Sequence, residues 1–79
     1  MNMFMVYEIL CKVRDNDRCF VSFLFGSTRY SYSGINNVVK NCVGLGLLVV
    51  VKDGRLNVLS LSGLGSELLL VLGKVYGGK

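Results

Sequence analysis

The sequence predicts a small α+β domain that occupies residues 1–79, with helices at both ends and a β-hairpin between them. Two stretches, 3–14 and 33–45, repeat their apolar residues at the spacing of a helix turn. Asp53-Gly54 lies between two apolar runs, which is a strong short-range signal for a hairpin. A leucine-rich stretch follows at 62–76, and no repeat or linker interrupts the chain. This order favours one domain over a string of separate units.

The first helix is predicted over residues 3–14, because Ile9, Leu10 and Val13 form an apolar stripe. The acidic and polar cluster that starts at Asp15 then breaks the pattern. Residues 18–33 are ambiguous, since Phe20, Val21, Phe23 and Leu24 fit either a strand or a short helix. Their aromatic and β-branched residues favour a strand on local propensity alone.

A second clear helix is predicted over 33–45, with Ser33 as a plausible N-cap and Gly46 as a C-cap. Its apolar stripe comprises Ile35, Val38, Val39 and Cys42. The helix over 62–76 begins at Ser62, a further N-cap candidate. This last helix is apolar nearly all round, so it must be covered on more than one side.

The hairpin is predicted over 47–61, with Asp53 and Gly54 as the two central residues of a type I′ turn and therefore both at positive φ. Its apolar residues are expected in the core. Lys52 and Arg55 flank the turn. They can meet a negative partner and can protect the strand edge from pairing with other strands, and the two roles are compatible.

The hydrophobicity and the charge of the chain indicate which kinds of partner it can bind. The chain has 79 residues, 52% of them hydrophobic, and a mean hydropathy of +0.53, so a body this small leaves apolar surface exposed. We therefore expect a homodimer. The net charge of +4 suits nucleic acid or an anionic membrane. The apolar stretch 42–51 is too short to span a bilayer and the stretch 56–73 contains Glu67, so no membrane partner is expected, although a small membrane-associated protein remains an alternative.

The residue inventory argues against an enzyme. Histidine is absent, the five carboxylates are scattered, and the glycine-rich stretches lack the spacing of a phosphate loop. No metal, cofactor or small-molecule ligand is indicated. Three cysteines without a CxxC pair suggest an intracellular, cytoplasmic protein with thiols. Cys42 fits a small core residue, while Cys11 and Cys19 are left open between free thiols, which are favoured, and a bridge within or between subunits.

Three local motifs point to a known family. In the first, Cys42 is followed by three residues and then by Gly46-Leu47-Leu48. The second is the hairpin VKDGRLNVLSL, and the third is LSGLGSELL, in which Ser62 and Gly65 match the Thr and Gly of a Leu-Thr-x-x-Gly-x-x-Leu-Leu opening. In this order and spacing the chain resembles a winged helix-turn-helix DNA-binding domain of the MarR/ArsR type.

The resemblance implies a three-helix core, a short hairpin wing at about 47–61 and a C-terminal helix. It places the second helix at Val21–Thr28, against the local strand propensity, with Phe20 in or near a short first strand. Helix 33–45 becomes the recognition helix that enters the major groove, where asparagine can pair with adenine. The implied DNA contacts are Arg29, Ser31, Tyr32, Ser33, Asn36, Asn37, Lys40, Asn41, Lys52 and Arg55.

The function that follows is a sequence-specific transcriptional regulator that binds double-stranded DNA as a homodimer. Helix 1 and the C-terminal helix are expected to form the dimer interface, the latter through Leu68, Leu69, Leu72, Val75 and Tyr76. The alternative is the same fold used as a protein–protein interaction module without DNA readout. Small size and the lack of Ala, Pro, Gln and His suggest a viral or plasmid source, archaeal viruses included, and hence a host cytoplasm.

Overall fold

A computed structural model describes residues 2–16 and 18–77. Four helices and one antiparallel hairpin follow one another along the chain, which confirms the α+β class. The elements are α1 (Met3–Asp15), α2 (Val21–Ser27), α3 (Tyr32–Gly44), β1 (Leu48–Asp53), β2 (Leu56–Leu61) and α4 (Gly63–Tyr76).

Helix α1 begins where Asn2 supplies a cap. The Asn2 Oδ1 accepts hydrogen bonds from the backbone N–H groups of Phe4, at 2.9 Å, and Met5, at 3.3 Å. The helix ends where the Asn16 side chain donates to the Lys12 carbonyl at 2.7 Å. Its inward stripe is fully apolar and packs on α3, β2 and α4: Met5, Val6, Ile9, Leu10 and Val13.

Helix α2 shows that the strand preference of its segment is wrong and the implied helix is confirmed. Phe20 is the extended residue before the helix, and Leu24 is its one fully buried side chain. The short first strand is reduced to a bridge at Cys19, whose carbonyl accepts the Leu59 N–H at 2.8 Å. Packing of Leu24 in the core outweighs a propensity scale that spans only about 1 kcal/mol.

Helix α3 starts one residue earlier than predicted, and its N-cap is Ser31 rather than Ser33. Ser31 has extended backbone angles and its Oγ accepts the Gly34 N–H at 3.2 Å, so Ser33 belongs to the first turn. At the other end Gly46 adopts a φ of +79°, which only glycine accepts readily, and the chain turns into β1.

The hairpin pairs Leu48 with Leu61 at its base and Asp53 with Leu56 at its tip. The turn is therefore centred on Gly54-Arg55, and only Gly54 has a positive φ, of +64°. The predicted type I′ turn is wrong, because it would require positive φ at two residues; glycine at the first central position is the type II′ requirement.

Most apolar residues of the hairpin lie outside the core, contrary to the prediction. Only its base is buried, through Leu48 and Leu59. Val49, Val50, Val51 and Leu56 are exposed. The described helices therefore leave about half of each of these side chains uncovered in the outer part of the hairpin.

The start of α4 is tied to the start of β1. Ser62 caps α4 by accepting the Gly65 N–H at 2.9 Å, as predicted, and its own N–H donates to the Leu47 carbonyl at 3.1 Å. The Ser62 hydroxyl also reaches the carbonyl oxygens of Gly46 and Leu47. One serine thus joins the end of the α3 region, the base of the hairpin and α4.

The core lies where α1, α3, α4 and the hairpin base meet. Its buried members from the four helices are accompanied by Cys19, Leu47, Leu48 and Leu59, and among the described residues no polar or charged side chain is buried. The core therefore fixes the helices by apolar packing alone, and the charged side chains among the described residues lie outside it.

Candidate nucleic-acid interface

Helix α3 presents one polar face because its other face is held by the core. Ile35, Val38, Val39 and Cys42 are buried. The positions between them fall on the opposite side of the helix at spacings of three and four residues. Exposed there are Ser33, Asn37, Lys40 and Asn41. We call these four residues the α3 face.

Asn36 does not share that position. It is half-buried on the flank of α3, between the α3 face and the core. Of the three asparagines predicted to contact DNA, Asn37 and Asn41 are therefore the two that point outward. Their amides provide both donors and acceptors, and Lys40 between them adds an ammonium.

The charge of α3 has one sign. From Tyr32 to Gly44 the helix contains Lys40 and no acidic residue. Its first turn carries Ser31 and Ser33, both exposed, and Arg29 is exposed just before it in the connection from α2. The N-terminal N–H groups of a helix also favour anions. The surface at this end of α3 is suited to a negatively charged partner.

The two tyrosines next to α3 differ in their surroundings. The Tyr30 hydroxyl donates a hydrogen bond to the Glu8 carboxylate of α1, and this bond raises the pKa of Tyr30. Tyr30 is thereby held against α1 rather than free to contact a partner. The Tyr32 ring packs edge-on against Phe25 of α2 with ring centroids 5.8 Å apart, and the side chain remains half exposed.

The hairpin tip carries Lys52 and Arg55, both exposed. Asp53 lies between them and forms an ion pair with Arg18, which precedes α2. The Arg18 guanidinium also lies 5.8 Å from the centroid of the Phe20 ring, within cation–π range. Arg18 was not among the predicted site residues, because 34 residues separate it from the tip and no local pattern connects the two.

The predicted dimer residues of α4 do not form one surface. Leu69 and Leu72 are buried in the core of the chain itself, and Leu68 is half-buried, so the prediction that Leu69 and Leu72 face a partner is wrong. The Tyr76 ring packs on Phe4 and Tyr7 of α1, at 5.2 and 5.6 Å between ring centroids. The exposed large hydrophobic residues of α4 are Leu64, Leu70, Val71, Val75 and Tyr76.

All three cysteines are free thiols, and Cys11 forms no bridge with Cys19. Cys42 is a core residue, as predicted, with a fully buried side chain. Burial raises the pKa of the Cys19 and Cys42 thiols. Cys11 is half-buried on α1. Neither buried thiol is positioned as an activated nucleophile.

Other kinds of site are not evident in residues 2–16 and 18–77. Within these ranges no three metal-ligating side chains come together, and no helix is both long and apolar enough to cross a bilayer. One groove of about 540 Å³ opens between α1, β2 and α4. It is lined by Arg14, Leu61, Ser66, Leu69, Leu70, Gly73 and Lys74.

Comparison of the structure with solved structures identifies the fold. The chain superposes with a TM-score of 0.83 on the transcriptional regulator BldR from Sulfolobus solfataricus, at 19% identity, covering 91% of this chain and 53% of BldR. The adhesin competence repressor AdcR from Streptococcus pyogenes gives a TM-score of 0.81 at 17% identity, over 92% of this chain and 55% of AdcR. These neighbours confirm the winged helix-turn-helix fold.

A third neighbour is BpsR of Bordetella bronchiseptica, whose structure is described in terms of the regulation of its DNA binding by 6-hydroxynicotinic acid. It gives a TM-score of 0.78 at 21% identity, over 86% of this chain and 51% of BpsR. The chain spans about half the length of these three regulators. No protein-family model and no curated protein matches the sequence.

Proposed function

We propose that this protein is a sequence-specific transcriptional regulator that binds double-stranded DNA as a homodimer. The observation that carries the proposal is the α3 face. It is exposed, holds two amides, a hydroxyl and an ammonium, and belongs to a helix without a carboxylate. In the winged helix-turn-helix fold, the helix at this position is the one that enters the major groove.

The chemistry of the α3 face suits base readout. The amide nitrogen of an asparagine can donate a hydrogen bond to adenine N7 while its amide oxygen accepts one from adenine N6. Each good bidentate pair of this kind discriminates against the wrong base by about 1–3 kcal/mol. We assign this role to Asn37 and Asn41, with Lys40 contacting guanine or a phosphate. Ser31, Ser33 and Arg29 at the helix start are assigned to phosphate oxygens, and Asn36 and Tyr32 to the flanks of the contact.

The hairpin supports the same assignment as a short wing. Lys52 and Arg55 are exposed at its tip and form no ion pair with any residue in the ranges 2–16 and 18–77, while the charge of Asp53 is offset by Arg18. The tip therefore presents net positive charge to the DNA backbone. The chain offers few cations, so each subunit can contact few phosphates. A plot of the logarithm of the DNA affinity against the logarithm of salt concentration should therefore have a shallow slope for a dimer.

The structural neighbours support the role. BldR is described as a transcriptional regulator and AdcR as a repressor, and the structure of BpsR is described in terms of the regulation of its DNA binding. Two copies of α3 in a homodimer would meet successive major grooves about 34 Å apart, which implies a pseudo-palindromic operator.

Selection of bound sequences from a pool of random duplexes tests the proposal. We expect an enriched, two-fold symmetric site. On that site, Asn37→Ala with Lys40→Ala should weaken binding by tenfold or more and relax base preference. Lys12→Ala removes one charge from α1 and serves as the matched control for Lys40→Ala. Wild-type affinity in the double variant would overturn the assignment of the α3 face.

A second candidate is a protein–protein interaction module. The exposed hairpin residues Val49, Val50, Val51 and Leu56 favour it, since an uncovered apolar strand is a surface on which a partner can pack. A folded protein that binds no duplex at 20 mM salt would support this module over the regulator.

A further inference from the structure

Aromatic side chains are concentrated around α2 and the start of α3. Of the four phenylalanines and four tyrosines in the chain, five lie in this one short stretch: Phe20, Phe23, Phe25, Tyr30 and Tyr32. Tyr30 is held by Glu8, but Phe25 and Tyr32 are 50% and 51% exposed. The core buries only Leu24 from α2, so core packing does not explain these two exposed rings.

The two exposed rings contact each other across the connection between α2 and α3. Their centroids lie 5.8 Å apart and their planes meet at 71°, which is an edge-to-face arrangement. Such a contact covers at most one face of one ring, so flat aromatic surface remains open to solvent. We call Phe25 and Tyr32 the aromatic pair. Single apolar side chains are ordinary on a protein surface, whereas two rings held together form a surface on which a ligand can pack.

The surroundings of the aromatic pair carry positive charge. Arg29 is exposed in the connection 28–31 and forms no ion pair with any residue in the ranges 2–16 and 18–77. From Arg18 to Lys52, a stretch that includes all of α2 and α3, the sequence contains no aspartate or glutamate. Glu8 of α1, which accepts the Tyr30 hydroxyl, is half-buried. This surface therefore suits a ligand that combines flat apolar groups with negative charge.

We propose that the aromatic pair binds bases of single-stranded nucleic acid, with Arg29 contacting a phosphate of the same strand. Unpaired bases expose their faces, and stacking on aromatic side chains is a contact that every base can make. A duplex cannot make this contact, because its base faces are already stacked on one another. An apolar protein segment would fit the rings but would leave Arg29 without a counter-charge.

The aromatic pair borders the α3 face but is distinct from it. Tyr32 is the first residue of α3 and directly precedes Ser33, whereas Phe25 belongs to α2. A strand that leaves a duplex at this end of the α3 face can therefore continue onto the aromatic pair. The proposal goes beyond the proposed function by adding unpaired bases as a ligand, and it gives a role to Phe25, which has none in the duplex contact.

Titration of the full chain with a labelled oligothymidylate of about 12 nucleotides tests the site, since this strand cannot pair with itself. Phe25→Leu keeps an apolar side chain and removes the ring. It should weaken binding about fivefold or more, at low and at high salt alike. Phe4→Leu is the matched control, because Phe4 is 44% exposed and lies edge-to-face with Tyr76 at 5.2 Å between centroids. The control should bind like wild type.

Tyrosine fluorescence provides a readout that is specific for stacking. The chain has no tryptophan, so the emission of its tyrosines is observed directly. A base stacked on Tyr32 should quench part of this emission, and Tyr32→Leu should remove that part of the quenching. Arg29→Gln should weaken binding mainly at low salt, because it acts through charge. Oligouridylate of the same length is titrated in parallel, and tighter binding of either strand supports the site and identifies its sugar.

Two results would overturn the proposal. One is unchanged affinity of Phe25→Leu for both strands, with circular dichroism showing an intact fold; the aromatic pair would then be an apolar surface for a protein partner. The other is the absence of tyrosine quenching in wild-type protein at saturating concentrations of either strand. The second result does not depend on the folding of any variant.

Failure here is distinguishable from failure of the proposed function. If Phe25→Leu loses nothing on single strands while wild-type protein selects a palindromic duplex, the aromatic pair has another role and the regulator assignment stands. If single strands bind through the aromatic pair but no duplex is selected, the single-strand site stands and the regulator assignment falls.

Discussion

Gly65 in the first turn of α4 lies directly against the backbone carbonyl group of Leu47. A Cβ built on Gly65 would fall 3.0 Å from the Leu47 carbonyl carbon and closer still to its oxygen. The obstacle is backbone, which cannot swing aside as a flexible side chain would. This close approach fixes the distance between α4 and the base of the hairpin, and it explains in physical terms the glycine of the LSGLGSELL motif.

Replacement of Gly65 by alanine should therefore destabilise the fold. The intrinsic gain in helix propensity is about 1 kcal/mol, but the clash forces α4 away from β1, and overpacking of this kind typically costs about 1–3 kcal/mol. Urea denaturation should show a net loss of stability. Gly73→Ala is the matched control, because it lies in the same helix with nothing within 4 Å of its Cβ. It should be neutral or stabilising; equal losses in both variants would show that the contact is unimportant.

The sequence predicted the elements whose signals are local and periodic. Helices α1, α3 and α4 are 13 to 14 residues long, more than three turns each, and carry apolar stripes, and the hairpin has a glycine at its turn. Helix α2 has seven residues and a single buried side chain, Leu24, so too few positions repeat to reveal the helix. Only the resemblance to the family, which carries tertiary information, placed α2 correctly.

The α3 face could be predicted from the sequence, because the spacing of the apolar residues in a helix also fixes which residues lie on the opposite side. Burial of Val38 and Val39 could be inferred from their spacing, and Asn37 and Lys40 follow on the opposite side. The pairing of Arg18 with Asp53 could not be inferred, since it depends on where the hairpin folds back. Similarly, α4 has apolar residues on all its sides, so the sequence does not show which of its leucines are buried in the core of the chain. Leu69 was therefore assigned to the exposed side, whereas it is buried.

Removal of the Ser62 hydroxyl tests the junction between α4 and the hairpin. Ser62→Ala loses the N-cap of α4 and the side-chain link to the Gly46 and Leu47 carbonyls together. We expect a loss near the upper end of the 0.5–2 kcal/mol range for N-caps. Ser31→Ala, which loses only the cap bond to Gly34, should cost less. Both values come from thermal or urea unfolding, and Ser62→Thr should restore most of the stability. A greater loss at Ser31 would contradict the linking role of Ser62.

Neutralisation of Asp53 tests the charge of the hairpin tip. Asp53→Asn removes the one carboxylate of the tip and frees Arg18 from its ion pair, so affinity for duplex DNA should rise a few-fold at low salt. Asp15→Asn is the matched control. It changes the net charge equally, and it likewise breaks an exposed ion pair, with Arg14 at the end of α1. Titrations of a labelled duplex should show a clearly larger gain for Asp53→Asn. Weaker binding in that variant would mean that the Arg18–Asp53 pair positions the hairpin and does more than mask its charge.

The thiols offer a test of the core with a defined pH dependence. Burial raises the pKa of Cys19 and Cys42 in the folded protein. In the unfolded chain the thiol pKa is about 8.5, so as pH rises the unfolded chain loses these protons before the folded protein does. Above that pH the unfolded state binds fewer protons than the folded state, and stability should fall as pH rises from about 8 to 9.5. Cys42→Ala should make this decline shallower, whereas Cys11→Ser should leave the contribution of the buried thiols unchanged.

Alkylation at pH 8 should modify only Cys11 in the folded protein, because the reagent reaches the half-buried thiol alone. All three thiols should react in denaturant. Rapid modification of Cys42 under native conditions would show that the α3 packing opens far more readily than its burial implies.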